Sequence, residues 1–391
     1  MENFRLPAEW EAQWGVMLTW PHEETDWKPY LAEITATYVA MAREIVRREW
    51  LLIVVPRAEI VPEEVRKMER VVIFECPTDD TWARDHGPIV LKGSEGERKR
   101  SERGVKECEV RSEECGVRRL WLDFRFNGWG EKFPAENDNR IVSRLFEEMT
   151  RNEERGTRNS QPSTLNSQLS TVNCQLENHQ DFVLEGGSIE SDGRGTIFTT
   201  SQCLLAPNRN QPLTREEIEA ELKRRLRAEH VVWLDHGNLI GDDTDGHIDT
   251  IVRCAPDNTL LYVGCDDEND EQFADFQALE QQLKSLRTTD GKPYRLLRLP
   301  MPDAIFEETI SEEGGTRKKE RERLPATYAN FLILNGAVLA PVYGQPENDA
   351  EALRVIGEAF PDRDIIPIDA RTIIRQHGSI HCLTMQIPSQ I

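Results

Sequence analysis

Apolar and polar positions along the chain follow two periods. Short β-branched runs, Leu51-Leu52-Ile53-Val54-Val55 and Val71-Val72-Ile73-Phe74, read as buried strands. Apolar residues near helical spacing predict helices over 30–48, 136–149, 214–227, 270–286 and 347–360. Thr214, with Glu217 three residues on, forms a capping-box pattern at the start of the third of these. Strands and helices in alternation place the chain in the α/β class.

Three stretches interrupt this pattern. Residues 92–119 are dense in charge, 150–180 are rich in Ser, Asn, Gln and Thr, and 310–324 hold Gly314-Gly315 followed by Lys318-Lys319-Glu320-Arg321. Each is too poor in apolar residues to order itself, and each is expected to be a mobile, solvated insertion in one domain spanning 1–391. A weak repeat runs beneath them. Polar clusters at Asp85, Glu185, His247, Tyr328 and Ser379–Cys382 each open a strand–turn–strand unit. The steps from Asp85 through Glu185, His247 and Tyr328 to Cys382 are 100, 62, 81 and 54 residues. Such spacing suggests a radial or stacked architecture with all five openings at one axial cavity.

Composition narrows the function. A hydrophobic content of 38% and nine Trp support a real core. A net charge of −22 argues against nucleic acid, which needs a basic footprint, and is compatible with a small cationic substrate. Eight Cys are scattered with no CxxC pair, so neither a zinc ribbon nor a thioredoxin-like motif is supported. No apolar run approaches the ~20 residues of a membrane span. The first residues lack the apolar stretch of a signal peptide, so a cytoplasmic protein with reduced thiols is expected.

Chemistry concentrates in a few clusters. Cys382 follows the turn-prone Gly378-Ser379 and sits in a β-like run, where His381 and Leu383 would point to the opposite face; His381 is then a poor base for it. Most cysteines are simply buried, but this context marks Cys382 as a candidate nucleophile, which needs a lowered pKa or a partner base. His247 is the best partner. It lies among Asp243, Asp245 and Asp249, and in a strand it would share a face with Asp249. A satisfied core histidine is the plainer reading for a lone His. A metal site from His236, His247 and these aspartates ranks lower, because no compact ligand motif such as HExxH is present. Asp85, in Trp82-Ala83-Arg84-Asp85-His86-Gly87-Pro88, could be half of a weak surface pair with Arg84, although the neighbouring Trp and the Gly-Pro turn are unusual for plain surface. Glu185 opens Glu185-Gly186-Gly187-Ser188, whose glycines permit close backbone approach; an exposed Glu on a bulge is the plainer alternative. Several carboxylates facing one thiol and one His suit a guanidinium, which carboxylates grip bidentately while a thiolate attacks its central carbon.

These segments, with Phe126-Asn127-Gly128-Trp129-Gly130, Cys203-Leu204-Leu205-Ala206-Pro207-Asn208-Arg209-Asn210, Gly246-His247-Ile248-Asp249, Tyr328-Ala329-Asn330 and His381-Cys382-Leu383-Thr384, occur in an order that resembles the agmatine deiminase and bacterial peptidylarginine-deiminase-like family of the guanidine-modifying superfamily. The resemblance implies a five-bladed α/β propeller. It implies Cys382 as nucleophile, His247 as general acid and base, Asp85 and Asp249 as the guanidinium clamp, Glu185 orienting substrate and His247, and Trp82 walling the channel. It implies no metal and no organic cofactor. The expected reaction converts agmatine to N-carbamoylputrescine and ammonia through a covalent Cys thiouronium, feeding polyamine synthesis. A homo-oligomer is allowed, while nucleic acid and membrane partners are not expected. Rival readings are peptidyl-arginine deimination, amidino transfer to an amine, a non-catalytic guanidine-binding protein on the same fold, and a metal-dependent hydrolase.

Overall fold

A computed structural model of the chain describes residues 4–93, 119–156, 174–313 and 316–389. Among them, five sheets share one plan: an antiparallel pair, then a parallel strand reached across a helix. Ile89–Gly93 pairs with Arg119–Arg125, which runs parallel to Cys174–Val183. Ile189–Ser191 pairs with Thr196–Thr200, and that strand with His230–Leu234. The third sheet joins Val252–Ala255, Thr259–Gly264 and Arg295–Pro300. The fourth joins Leu332–Leu334, Ala337–Val342 and Asp364–Asp369. In the fifth, Thr384–Pro388 pairs antiparallel with Gln13–Thr19, which continues parallel to Trp50–Val55 and Val71–Glu75. The fold is α/β, and each sheet corresponds to one of the five repeats expected from the sequence.

The crossover helices are Ile141–Gly156, Arg215–Leu226, Phe273–Ser285, Pro346–Ala359 and, in the fifth sheet, Leu31–Val46. Leu31–Val46 buries Ile34, Tyr38, Met41, Ala42 and Ile45, a stripe at helical spacing. Thr214 and Glu217 complete both halves of the capping box. The helix expected over 136–149 starts late, because Asp138 turns back to accept the backbone N–H groups of Asp79 and Asp80 at 2.8 and 2.9 Å. The central strands are buried on both faces, as parallel strands covered by helices require.

Two expectations about insertions change. Residues 310–324 are not a loop: Phe306–Glu313 and Thr316–Arg323 form an antiparallel ribbon in unbroken register. Gly314-Gly315 is a hairpin signal between two arms of opposite charge, and the register sets Glu308 opposite Arg321. The segment 150–180 is partly regular, with helix to Gly156 and strand from Cys174. The remainder of that segment, 157–173, and residues 94–118 of the first insertion lie outside the described residues. Among the described residues no helix is long and apolar enough to cross a membrane.

The strand Gln13–Thr19 lies so close to Trp50 that a Cβ on Gly15 would fall 2.1 Å from the Trp50 carbonyl oxygen. Gly15→Ala is therefore expected to cost about 1–3 kcal/mol, as overpacking does. Urea unfolding should show a lowered midpoint with an unchanged slope; a wild-type midpoint would contradict this packing.

Candidate active site

The segments that precede the first strand of each sheet converge. They supply Asp85, Glu185, His247 with Asp249, Asn330, and Cys382.

Cys382 is not inside a strand. It lies in a turn just before Thr384–Pro388, closed by the Thr384 hydroxyl, which donates to the Ile380 and His381 carbonyls at 3.3 and 3.0 Å. Asn330 holds this turn. Its Oδ1 accepts the backbone N–H of His381 at 2.9 Å and of Cys382 at 3.2 Å, and its Nδ2 donates to Cys382 Sγ at 3.3 Å. Burial pushes the thiol well above its ordinary pKa, and the nearby Asp249 and Asp85 charges push it further, while the Ser379 and Asn330 hydrogen bonds oppose them.

Two carboxylates flank the site. Asp85 stands on the one-turn helix Ala83–His86, which the Cys382 carbonyl anchors by accepting from Arg84 N at 3.1 Å. Its Oδ1 accepts Gly187 N–H at 3.0 Å and its Oδ2 accepts the Trp129 indole N–H at 3.0 Å. Burial raises Asp85 to about 6; Asp249 and Glu185 push the same way, against His247 and Trp129. Asp249 Oδ2 accepts from His381 Nδ1 at 2.7 Å and lies 3.7 Å from Cys382 Sγ. Its Oδ1 is buried with no hydrogen-bond partner. Burial alone would raise this carboxyl, but His381 brings it below the ordinary value.

His247 is not in a strand either. It caps the 3₁₀ turn Ile248–Thr250, so curvature rather than alternation brings it to the same centre as Asp249. Its backbone is pinned by the Thr244 and Thr250 hydroxyls at 3.0 and 2.7 Å. Its ring is fully buried, 3.6 Å from Asp85 Oδ1, with no hydrogen-bond partner at either nitrogen. Burial works against the imidazolium, yet Asp85, Cys203 and Asp249 together hold its pKa well above the usual value. The imidazolium form of the ring is thus favoured beside Asp85, which is largely ionised at neutral pH. Gly187 is required where these groups meet: a Cβ there would lie 2.6 Å from His247 Nδ1, 2.9 Å from Asp85 and 3.2 Å from Asp249.

Glu185 is fully buried. One oxygen accepts from Arg209 Nε at 2.8 Å, and the other has no partner. Arg209 also reaches Asp245 and the Thr244 carbonyl at 2.7 and 2.9 Å. Donor atoms of Glu185, Cys203 and His247 lie within 4.8 Å of one another, as do those of Glu9, Glu190 and His381. In both groups an arginine already neutralises the carboxylates: Arg209 in the first, Arg253 in the second. His236 belongs to neither; it is exposed and pairs with Asp275 at 3.1 Å.

An open cleft of about 690 Å³ leads to the thiol, walled by Trp82, Trp129 and Phe133 and reaching Asp85 and Cys382. Trp82 packs closely against Gly378, where a Cβ would fall 2.2 Å from the indole. Asp26, Asp80, Asp243 and His377 also line it, and among its described lining residues there is no Lys or Arg. Burial and the neighbouring Asp26 raise Asp80 to about 7.

All six residues expected from the sequence meet here. Asn330, Trp129, Gly187, Arg209, His381 and Glu9 were not expected to take part. Asn330, Trp129 and Arg209 sat inside the motifs, without a titratable partner nearby to single them out. Glu9 had no signal, since its side-chain partners lie 75 to 377 positions away.

The chain is similar to known proteins over its whole length. The chain matches the model of the Porphyromonas-type peptidyl-arginine deiminase family over residues 5–388. Agmatine deiminase of Pseudomonas putida is 33% identical over 404 aligned residues, which cover 100% of this chain and 97% of that one. A cysteine-to-serine variant of C. jejuni agmatine deiminase, solved with substrate bound, is 32% identical with a TM-score of 0.79, over 99% of this chain and 96% of that one. A solved protein of Porphyromonas gingivalis is 42% identical with a TM-score of 0.78, over 99% of each chain. With the match running from the first described strand to the last, this chain belongs to the Porphyromonas-type peptidyl-arginine deiminase family.

Proposed function

We propose that the chain hydrolyses the guanidinium of agmatine to N-carbamoylputrescine and ammonia, on a five-bladed α/β propeller whose blades are the five sheets. The observation that carries this reading is a buried thiol between two carboxylates, with Asp249 Oδ1 and both His247 nitrogens left without partners at the end of an acidic cleft.

Asp85 and Asp249 grip the guanidinium from two sides, and Glu185 sets its orientation and that of His247. The cation offsets the charges that keep Cys382 protonated, so binding favours release of the thiol proton to solvent and formation of the thiolate. The thiolate attacks the central carbon, His247 protonates one nitrogen, and ammonia leaves, with an amidino-thioether remaining on Cys382. Neutral His247 then takes a proton from water as its oxygen attacks the same carbon. The C–S bond breaks, the thiolate returns, and the ureido product departs. Covalent catalysis thus divides one displacement into two easier steps.

The family's description raises peptidyl arginine as a second substrate, and the relatives' names raise agmatine. The cleft favours agmatine: Asp26, Asp80 and Asp243 suit a free amine, whereas a substrate carboxylate would meet like charge. Ammonia release from agmatine, free arginine and a C-terminal-arginine peptide is expected to differ by roughly 100-fold or more in kcat/KM in favour of agmatine, since like charges cost several kcal/mol. Preference for the peptide would transfer the enzyme to the peptidyl branch.

Cys382→Ala should reduce turnover by about 10⁴-fold or more while still binding agmatine in calorimetry. Near-wild-type ammonia release would remove Cys382 from the mechanism. The kcat/KM profile reports the free enzyme. Protonating Asp85 removes half of the clamp, so kcat/KM should fall as pH drops through about 6. It should fall again on the alkaline side, where His247 loses the proton it must deliver. Asp85→Asn should lose the acid limb and raise KM; an unchanged limb in that variant would assign it elsewhere.

A further inference from the structure

Behind Asp249 lies a charged cluster that the chemistry above does not use. His381 Nδ1 faces Asp249 Oδ2 at 2.7 Å, and His381 Nε2 faces both oxygens of Glu9 at 2.9 and 3.0 Å. An ionised carboxylate only accepts hydrogen bonds, so each ring nitrogen carries a proton and the ring is an imidazolium between two anions. Its backbone N–H is fixed by Asn330 Oδ1, the same oxygen that holds the Cys382 amide.

Glu9 is itself held firmly. Arg84 donates to it at 2.8 Å, Arg253 pairs with its other oxygen, and Gln386 Nε2 donates at 3.1 Å. Arg253 is anchored by Glu190, by the carbonyls of Ala329 and Phe331 at 3.1 and 2.6 Å, and by the Phe331 ring beneath it at 4.6 Å. A chain of contacts thus runs from Arg84 and Arg253 through Glu9 and His381 to Asp249. It occupies Oδ2 of Asp249 and leaves Oδ1 directed away from it.

We propose that Glu9 and His381 are positioning residues for the reaction: a carboxylate–imidazolium relay that locks Asp249 in the orientation that presents Oδ1 to the guanidinium and balances its charge beside Cys382. Asp249 must be anionic to grip the substrate, yet an unbalanced anion 3.7 Å from Sγ opposes the thiolate. The imidazolium allows both. The charged groups facing this relay are Asp249, Glu9 and Glu190 at His381, Arg84, Arg253 and Glu190 at Glu9, and Asp249 and Asp85 at Cys382. The inference rests on the function proposed above, but its test includes a measurement that needs no turnover.

Wild type, Glu9→Gln, His381→Gln, Asp249→Asn and the double variant His381→Gln/Asp249→Asn are compared, with thermal melts to confirm folding. Steady-state kinetics use agmatine, and the pH dependence of Cys382 alkylation by iodoacetamide is followed by mass spectrometry of its peptide. Loss of one charged hydrogen bond predicts roughly a tenfold or greater rise in KM for His381→Gln, with a smaller rise for the near-isosteric Glu9→Gln. The alkylation midpoint of His381→Gln should move upward by about one pH unit, because Asp249 is no longer balanced. Adding Asp249→Asn should bring it back. Folded His381→Gln and Glu9→Gln with wild-type KM and alkylation profiles would overturn the relay. So would an alkylation shift that survives Asp249→Asn. If wild type turns over no agmatine, the functional reading fails, and the alkylation series still decides the relay.

Discussion

Buried carboxylates whose hydrogen bonding is incomplete govern this molecule. Asp85, Asp249 and Glu185 lie in an interior where an unpaired carboxylate is costly, and the fold supplies only part of the compensation. Arg209 takes one oxygen of Glu185, His381 takes one oxygen of Asp249, and His247 faces Asp85. The oxygens left over, Asp249 Oδ1 and Glu185 Oε2, have no partner. A planar cation with several N–H donors is the ligand that removes this deficit. Burial and the neighbouring Asp249 and Asp85 charges hold the Cys382 thiol well above its ordinary pKa, and in the function proposed above the guanidinium relieves part of that restraint.

The architecture follows from assembling such a cluster. No single element could place so many like charges together, because neighbouring residues on one strand or helix would repel without room for intervening donors. Five sheets each contribute the segment before their first strand, so each charge arrives on its own rigid support. The connections between these segments vary widely in length at little cost, since loop-closure entropy grows slowly with length. Glycine is used where the groups crowd most: Gly187 among His247, Asp85 and Asp249, and Gly378 under Trp82.

Most of the helices and the five-fold repeat were legible because they rest on local signals: apolar periodicity, β-branched runs and the Thr214–Glu217 box. Cys382, His247, Asp85, Asp249, Glu185 and Trp82 were legible because reactive or titratable types stand beside Gly and Pro in short motifs. The local conformations were less so. Cys382 and His247 read as strand residues, yet both occupy turns, where side-chain hydroxyls of Thr384, Thr244 and Thr250 close the backbone. Glu9 and Arg253 were invisible, because a buried ion pair between distant segments leaves no periodic trace. The ribbon formed by Phe306–Glu313 and Thr316–Arg323 was missed because charge density was weighed above the Gly314-Gly315 pair in the sequence.

The pairing of Thr384–Pro388 with Gln13–Thr19 reaches beyond geometry. The strand that begins two residues after Cys382 is completed against one of the earliest strands of the chain. Such a contact cannot form as the polypeptide leaves the ribosome; it must wait until the segment carrying Cys382 has emerged. Gln13–Thr19 meanwhile presents an open strand edge, the kind that chaperones shield from self-association. The thiol therefore joins its carboxylates only after the segment carrying it has been made, and a growing chain that has not reached it has no assembled site with which to consume guanidines.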